Sequence, residues 1–349
     1  MKKCMQLLFF SIALCSELMM QNTTLYGMRS PVDGLEAPAS FGKAKEKLWW
    51  KAVNGNHPYG VRTLLFCGVD PRITNNNPMY KGLNALHYAA LMGYTDIVQM
   101  FINNFRNTPD EDFLNATDNR GNTALMWAAE GNHCDITQHL INAHLDLNAQ
   151  NAQGETPLIK ALHNFSEDVA HMLIDAHADI NIQDKNGQAA LTVAVASGRW
   201  REGYPNVVRH LITQPQLLIN AQDRLGMTAL MHAAKRGCCR IVLLLVRAGA
   251  DKNIENFKHQ TVYQVVEAES LLIPSEKAMV RRVLNAPQLP QNREKKCAIC
   301  LQEDDRERTL LELCGHCFHT ECIHAWFHFS KSCPLCKSEV PFQSVIALH

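Results

Sequence analysis

Cysteine and histidine recur near the C-terminal end in an order that metal ligation explains. The residues are Cys297, Cys300, Cys314, His316, His319, Cys322, Cys333 and Cys336. Two Cys-x-x-Cys pairs bracket a Cys-x-His-x-x-His-x-x-Cys core. Thiolate and imidazole are the ligands that Zn2+ takes in structural sites, and eight of them satisfy two tetrahedral ions. A segment this short buries little apolar surface, so bound metal must supply much of its folding free energy.

The rest of the chain offers no competing chemistry. No phosphate-cradling glycine loop is present, and no nucleophile, base and orienting group fall together. The 34 lysines and arginines equal the 34 aspartates and glutamates, so no basic field argues for nucleic acid. Seven of the 13 cysteines lie between residues 297 and 336. Cys67, Cys134, Cys238 and Cys239 show no disulfide framework and suit a reducing compartment.

The residues around the ligands narrow the class. Cys297-Ala-Ile-Cys300, Leu313-Cys-Gly-His-Cys-Phe-His319, Cys322-Ile-His-Ala-Trp326 and Cys333-Pro-Leu-Cys-Lys337 resemble the RING finger of ubiquitin ligases, in its two-histidine form. A PHD-type register fails, because a histidine is required where Cys322 and Ile323 stand. The resemblance implies a cross-brace. Cys297, Cys300, His319 and Cys322 would hold one zinc, and Cys314, His316, Cys333 and Cys336 the other. Both sites would be closed, so the metal would be structural and not a Lewis acid. Cys317 is surplus to the eight and reads as a small packed thiol.

The same resemblance implies no covalent nucleophile, and hence no catalytic residue in the strict sense. It makes Ile299, Trp326 and Pro334 the apolar contacts for a ubiquitin-conjugating enzyme. Lys337 stands where an active RING often reaches ubiquitin with an arginine, and lysine lacks that planar fork of donors.

A repeat must position whatever this finger acts on. Gly82, Gly121, Gly154, Gly187 and Gly226 lie 39, 33, 33 and 39 residues apart, each with a leucine four residues later. Asn115, Asn148, Asn181, Asn220 and Asn253 close the units. Gly121-Asn-Thr-Ala-Leu-Met-Trp-Ala-Ala129 and Gly226-Met-Thr-Ala-Leu-Met-His-Ala-Ala234 carry the pattern best, and they look like ankyrin repeats. The paired alanines would let two helices approach closely. Thr123, Thr156 and Thr228 would cap the first helix of their units, and a Gly or Asn after the second would take a left-handed conformation. No single unit buries its own apolar face, so units must stack. Five clear repeats are expected over residues 78–254, with degenerate end units to cap the exposed core.

Ankyrin arrays bind proteins through hairpin tips and a concave helix face. By that resemblance the candidate substrate contacts are Asn119, Arg120, Asn122, Glu130, Gln153, Glu155, Lys185, Asn186, Arg224, Lys235 and Arg236. His163, Gln188 and Met227 occupy matching positions. Trp127 and His87 read as packing residues. The insertion Trp200-Arg-Glu-Gly-Tyr-Pro205 is expected as a loop.

The start, Met1-Lys-Lys-Cys-Met followed by Leu7-Leu-Phe-Phe-Ser-Ile-Ala-Leu-Cys15, has the charge and short apolar run of a secretory signal. The expected layout is a signal peptide at 1–20 and a linker at 21–42. An ankyrin array follows at 43–286, then a linker at 287–296, a RING finger at 297–337 and a tail at 338–349. The fold class is mainly α: a solenoid of helix-turn-helix and hairpin units, then a small two-zinc domain. The expected function is a RING-type ubiquitin ligase that binds two structural Zn2+ ions. Its partners would be a conjugating enzyme, ubiquitin and a protein substrate, with no nucleic acid and no stable membrane span. A bacterial effector, secreted and acting in a host cytoplasm, would reconcile the leader with the ubiquitin chemistry. The alternative is a non-catalytic scaffold with a structural zinc module.

Overall fold

A computed structural model describes residues 39–106, 108–197, 204–285, 308–311, 317–319 and 345–348. Within these ranges side chains are described from residue 45 to 285, Glu111 apart. The chain divides into two compact units, residues 1–47 and 48–349. Of the first, only helical residues 39–47 are described, so the expected signal peptide lies outside the described residues.

Helices come in pairs. α1 (Ala39–Asn54) and α2 (Pro58–Phe66) open the array, followed by α3 (Ala85–Met92) with α4 (Thr95–Phe105). Then come α5 (Ala124–Glu130) with α6 (Cys134–Asn142), and α7 (Pro157–His163) with α8 (Glu167–Asp175). α9 (Ala190–Ala196) pairs with α10 (Pro205–Ile212), and α11 (Ala229–Arg236) with α12 (Cys239–Arg247). α13 (Val262–Ala268) and α14 (Pro274–Leu284) close it. First helices α3, α5, α7, α9, α11 and α13 stack in one layer, and second helices α2, α4, α6, α8, α10, α12 and α14 in the other. None of the described helices is long and apolar enough to cross a membrane.

The core runs as one continuous seam between these layers. Ala128, Ala129, Ala233 and Ala234 are fully buried, where a larger side chain would push the two helices of a unit apart. Leu125, Leu158, Ile136, Leu140, Ile241 and Leu245 fill the space that these alanines leave. Thr123, Thr156 and Thr228 cap α5, α7 and α11, each hydroxyl accepting a backbone N–H three residues on at 3.3 Å. Such a cap is worth about 1 kcal/mol. Ala189 stands in that place before α9 and offers no side-chain cap.

The two units of 39 residues, after Gly82 and after Gly187, each carry an insertion whose described residues add to the core. Beyond α4 the chain forms a short 3-10 turn, Glu111–Asn115, whose Phe113 and Leu114 are buried. The Phe113 ring lies 4.9 Å from that of Phe105 and 5.5 Å from that of Phe101. At the second insertion Tyr204 is buried, and its hydroxyl donates to the Leu162 carbonyl at 3.0 Å. Tyr204 therefore ties one repeat to the next; residues 198–203 lie outside the described residues.

After the second helices Gly68 (φ 75°) and Gly249 (φ 89°) take the left-handed position as expected, while His144 (φ 60°) and His177 (φ 62°) take it in place of an asparagine or glycine. Asn115, Asn148, Asn181 and Asn220 instead accept backbone N–H bonds from the next unit, at Asp146, Asp179, Leu218 and Asp251. These asparagines splice repeats together. α1 also begins inside the stretch expected as linker.

Toward the C-terminus three short strands form one antiparallel sheet, in the order β2-β1-β3. They are β1 (Arg308–Leu311), β2 (Cys317–His319) and β3 (Val345–Leu348). The expected tail therefore contributes a strand, with Thr309 opposite Ala347 and Leu310 opposite Ile346.

Candidate functional site

The hairpin tips after the first are each built on one buried Asx residue three positions before the glycine. Asp118, Asn151, Asp184 and Asp223 occupy that place, and Asn256 its equivalent in the last unit. One oxygen of each accepts two backbone N–H bonds, from the second and fourth residues on. Two such bonds fold the tip without help from a partner and leave its outer residues facing solvent. The glycine has a different task. A Cβ at Gly187 would come within 2.8 Å of the Arg224 nitrogen, and its φ of 74° suits glycine. Glycine here lets the next tip approach.

Neighbouring tips then join by backbone bonds. Ala152 donates to the Arg120 carbonyl at 2.7 Å, Lys185 to Gln153 at 2.9 Å, and Arg224 to Asn186 at 2.9 Å. Phe257 donates to Leu225 at 3.1 Å. A second ladder runs beneath, where Gln150 and Gln183 side chains donate across to the Gln183 and Gln222 carbonyls. The tips thus form one rigid edge.

The residues expected from the sequence fall into three groups. Asn119, Arg120, Gln153, Lys185, Asn186 and Arg224 lie exposed on this edge. Glu130, Glu155 and Lys235 line the first-helix face but are paired: Lys160 reaches Glu130 at 3.1 Å and Glu155 at 3.8 Å, and Lys235 reaches Glu269 at 3.8 Å. Arg236 is half-buried and donates to the Ala196 carbonyl at 2.7 Å. Asn122 is a correction. It is 2% exposed, with its amide spent on Asp118 and its carbonyl oxygen on Asn151, so it holds the hairpins together and is closed to a partner. Met227 is likewise buried, while His163 and Gln188 are half-buried.

The two residues read as packing are packed. The Trp127 ring is buried, with its Nε1 donating to Asp118 at 3.2 Å and the Lys160 ammonium 5.9 Å from its centroid. His87 accepts the Asn84 N–H at Nδ1 and meets the Ala116 carbonyl through Nε2 at 2.8 Å. Burial pushes its pKa down, against the opposing pull of that carbonyl and of Asp118.

At the zinc segment, seven of the eight ligand residues lie outside the described residues, as do Ile299, Trp326, Pro334 and Lys337. The eighth, His319, ends β2 opposite Arg308, and Cys317 starts β2 opposite Leu310. The Cys and His donor set fits Zn2+ and, with every ligand a protein group, a structural role. Among the described residues no group of three or more metal-ligating side chains is placed to hold an ion.

Comparison with known proteins adds to this geometry. A model of ankyrin repeats matches three times, at residues 48–151, 125–216 and 178–256, spanning more than half of the chain. This chain belongs to the ankyrin-repeat family. A Ring finger domain model matches residues 295–337 of the same ankyrin-repeat protein, and a RING finger implies zinc binding. The ankyrin repeat domain of Bcl-3, a member of the IkappaB protein family, superposes with a TM-score of 0.54 at 26% identity. That match covers 66% of this chain and 96% of Bcl-3's domain.

Over the finger, the ankyrin-repeat protein is 39% identical over 69 residues to the E3 ubiquitin-protein ligase RNF181 of Rattus norvegicus. It is 48% identical over 52 residues to the RING-H2 finger protein ATL5 of Arabidopsis thaliana. These matches cover 20% and 14% of this chain, and 42% and 20% of the relatives. The chain thus spans less than half the length of the curated relatives it matches.

Sequence reasoning missed Leu225, Phe257 and Lys258 on the hairpin edge. Only the tip register could have found them, because they occupy the same turn positions as Asn186, Asn119 and Gln153.

Proposed function

We propose that this ankyrin-repeat protein is a RING-type E3 ubiquitin-protein ligase. The single observation that carries the reading is the finger itself: the Ring finger match spans residues 295–337 with every Cys and His of the ligand set, and the chain is 39% identical over 69 residues to an E3 ligase. Ile299, Trp326 and Pro334 form the apolar patch that grips a ubiquitin-charged conjugating enzyme. Two zinc ions fold the patch and take no part in bond making.

The reaction is aminolysis of a thioester. A substrate lysine amine attacks the thioester carbonyl carbon of ubiquitin, the C–S bond breaks, and the conjugating enzyme's thiolate leaves. An isopeptide bond forms, and the amine gives up its proton. The finger's contribution is to restrict and orient the loaded carrier, an effect that lowers the barrier without a covalent intermediate. Lys337 keeps a positive charge toward ubiquitin but offers no planar fork, so stimulation is weaker than with arginine. The array supplies the substrate through its exposed hairpin edge. The proposal includes export, which the lysines and short apolar run of residues 2–15 support, and a eukaryotic host, which ubiquitin chemistry requires.

The test mixes purified full-length protein with activating enzyme, a panel of conjugating enzymes, ubiquitin and ATP. Ubiquitin products are expected with some panel members and are lost in Ile299→Ala and Trp326→Ala while zinc content stays unchanged. Retention of product in both variants would sink the docking assignment. No product with any conjugating enzyme would favour an interaction scaffold.

A further inference from the structure

The hairpin edge has an uneven chemistry within a chain of zero net charge. Arg120, Lys185, Arg224 and Lys258 are exposed on its tips, and none has an ion-pair partner among the described residues. The tips' own carboxylates, on Asp118, Asp184 and Asp223, face inward and accept backbone N–H bonds. At the outer tip positions the charge turned out is thus positive, while Glu255 stands exposed at the start of the last tip beside His259.

The edge also becomes apolar toward its end. Leu225 is 67% and Phe257 71% exposed, and the bond from Phe257 N–H to the Leu225 carbonyl makes them neighbours. Phe257 Cδ1 lies 2.8 Å from where a Cβ on Gly226 would stand, so the ring rests on a bare glycine. Arg224 and Lys258 flank the pair in sequence. Single exposed apolar residues need no explanation, but two adjacent large ones on a rigid, cation-lined edge form an anchor point.

We propose that this edge docks a short acidic protein segment carrying one apolar side chain. That side chain seats on Leu225 and Phe257 while its carboxylates lie along the four cations. This deepens the ligase reading, on which it rests for its purpose, by naming the substrate class. Each exposed ion pair adds little, so the apolar anchor sets affinity while the row of charge sets orientation and encounter rate. A nucleic-acid strand fits less well, since Leu225 offers no hydrogen bond to a base and the chain has no wider basic field.

Fluorescence anisotropy on the full chain tests this with three labelled peptides. One alternates aspartate and glutamate around a central leucine, one replaces that leucine by serine, and one replaces the acids by lysine. A mixed-sequence single-stranded RNA is the fourth probe. The acidic leucine peptide should bind at low ionic strength and weaken with salt. Its affinity should fall about tenfold with Leu225→Ser plus Phe257→Ser, and again with Arg224→Glu plus Lys258→Glu. Melting curves check the fold, and Lys185→Glu, at an exposed tip, provides a milder variant that should weaken binding in the same direction.

Equal binding of the serine peptide, tighter binding of RNA, or no binding at low salt would overturn the proposal. So would self-association of the chain that Leu225→Ser plus Phe257→Ser abolishes, since a second copy would then occupy the edge. Tighter peptide binding after Glu303→Lys, Asp304→Lys and Asp305→Lys together would assign the edge to the chain's own acidic run. The readout needs no ubiquitin: peptide binding without transfer sinks the ligase reading alone, and transfer without peptide binding sinks this one.

Discussion

The array and the finger solve the same problem by opposite means. The array orders about thirty residues per unit by burying alanine and leucine between two helical layers, and each added unit covers its neighbour's apolar face. The finger has too few residues for that and depends on ligand bonds to metal. One spreads its stability over many small contributions, the other concentrates it in bonds to metal. A perturbation that destroys one should therefore leave the other standing.

That contrast can be broken from either side. A strong chelator should unfold the finger and end ubiquitin transfer, with the array's helical circular dichroism and its melting transition unmoved. Structural zinc carries about 10–16 kcal/mol of apparent binding free energy, so this is the largest effect expected. Conversely, Leu158→Ala, at a fully buried site in α7, should cost the array about 2–5 kcal/mol and leave bound zinc unchanged. Coincident loss of both regions in either experiment would contradict the division.

A smaller effect sharpens it. His87 is buried and its folded pKa lies below the 6.5 of the free side chain. The unfolded chain therefore takes up a proton that the folded array refuses. The stability from this residue is complete above about pH 6.5 and is lost as pH falls below that value. Array stability should drop less on acidification from pH 7.5 to 5.5 in His87→Gln than in the parent chain, as followed by urea unfolding. An identical drop in both would show that His87 is not the group responsible.

The period of glycine and leucine was readable because stacking repeats the same burial problem in each unit. The caps at Thr123, Thr156 and Thr228 followed from the same register, and zinc binding, which the Ring finger match implies, from the spacing of Cys and His. What escaped depended on contacts between units. Asn122 looks like a tip residue in sequence, yet its neighbour Asn151 in the next repeat draws it inside. Tyr204, in an insertion with no counterpart elsewhere, packs through a hydroxyl bond to a carbonyl 42 positions away. His144 and His177 take left-handed positions where glycine or asparagine is the usual choice, and no local pattern marks them. The exposure of Leu225 and Phe257 was hidden because apolar residues ordinarily signal core. The pairing of β3 with β1 joins residues far apart in sequence, which local patterns cannot reveal.

The most direct measurement is elemental analysis of the purified full-length protein. The account predicts two equivalents of zinc per chain, with one lost from Cys297→Ser and from Cys333→Ser. A parent chain that folds, transfers ubiquitin and carries fewer than two equivalents would contradict it.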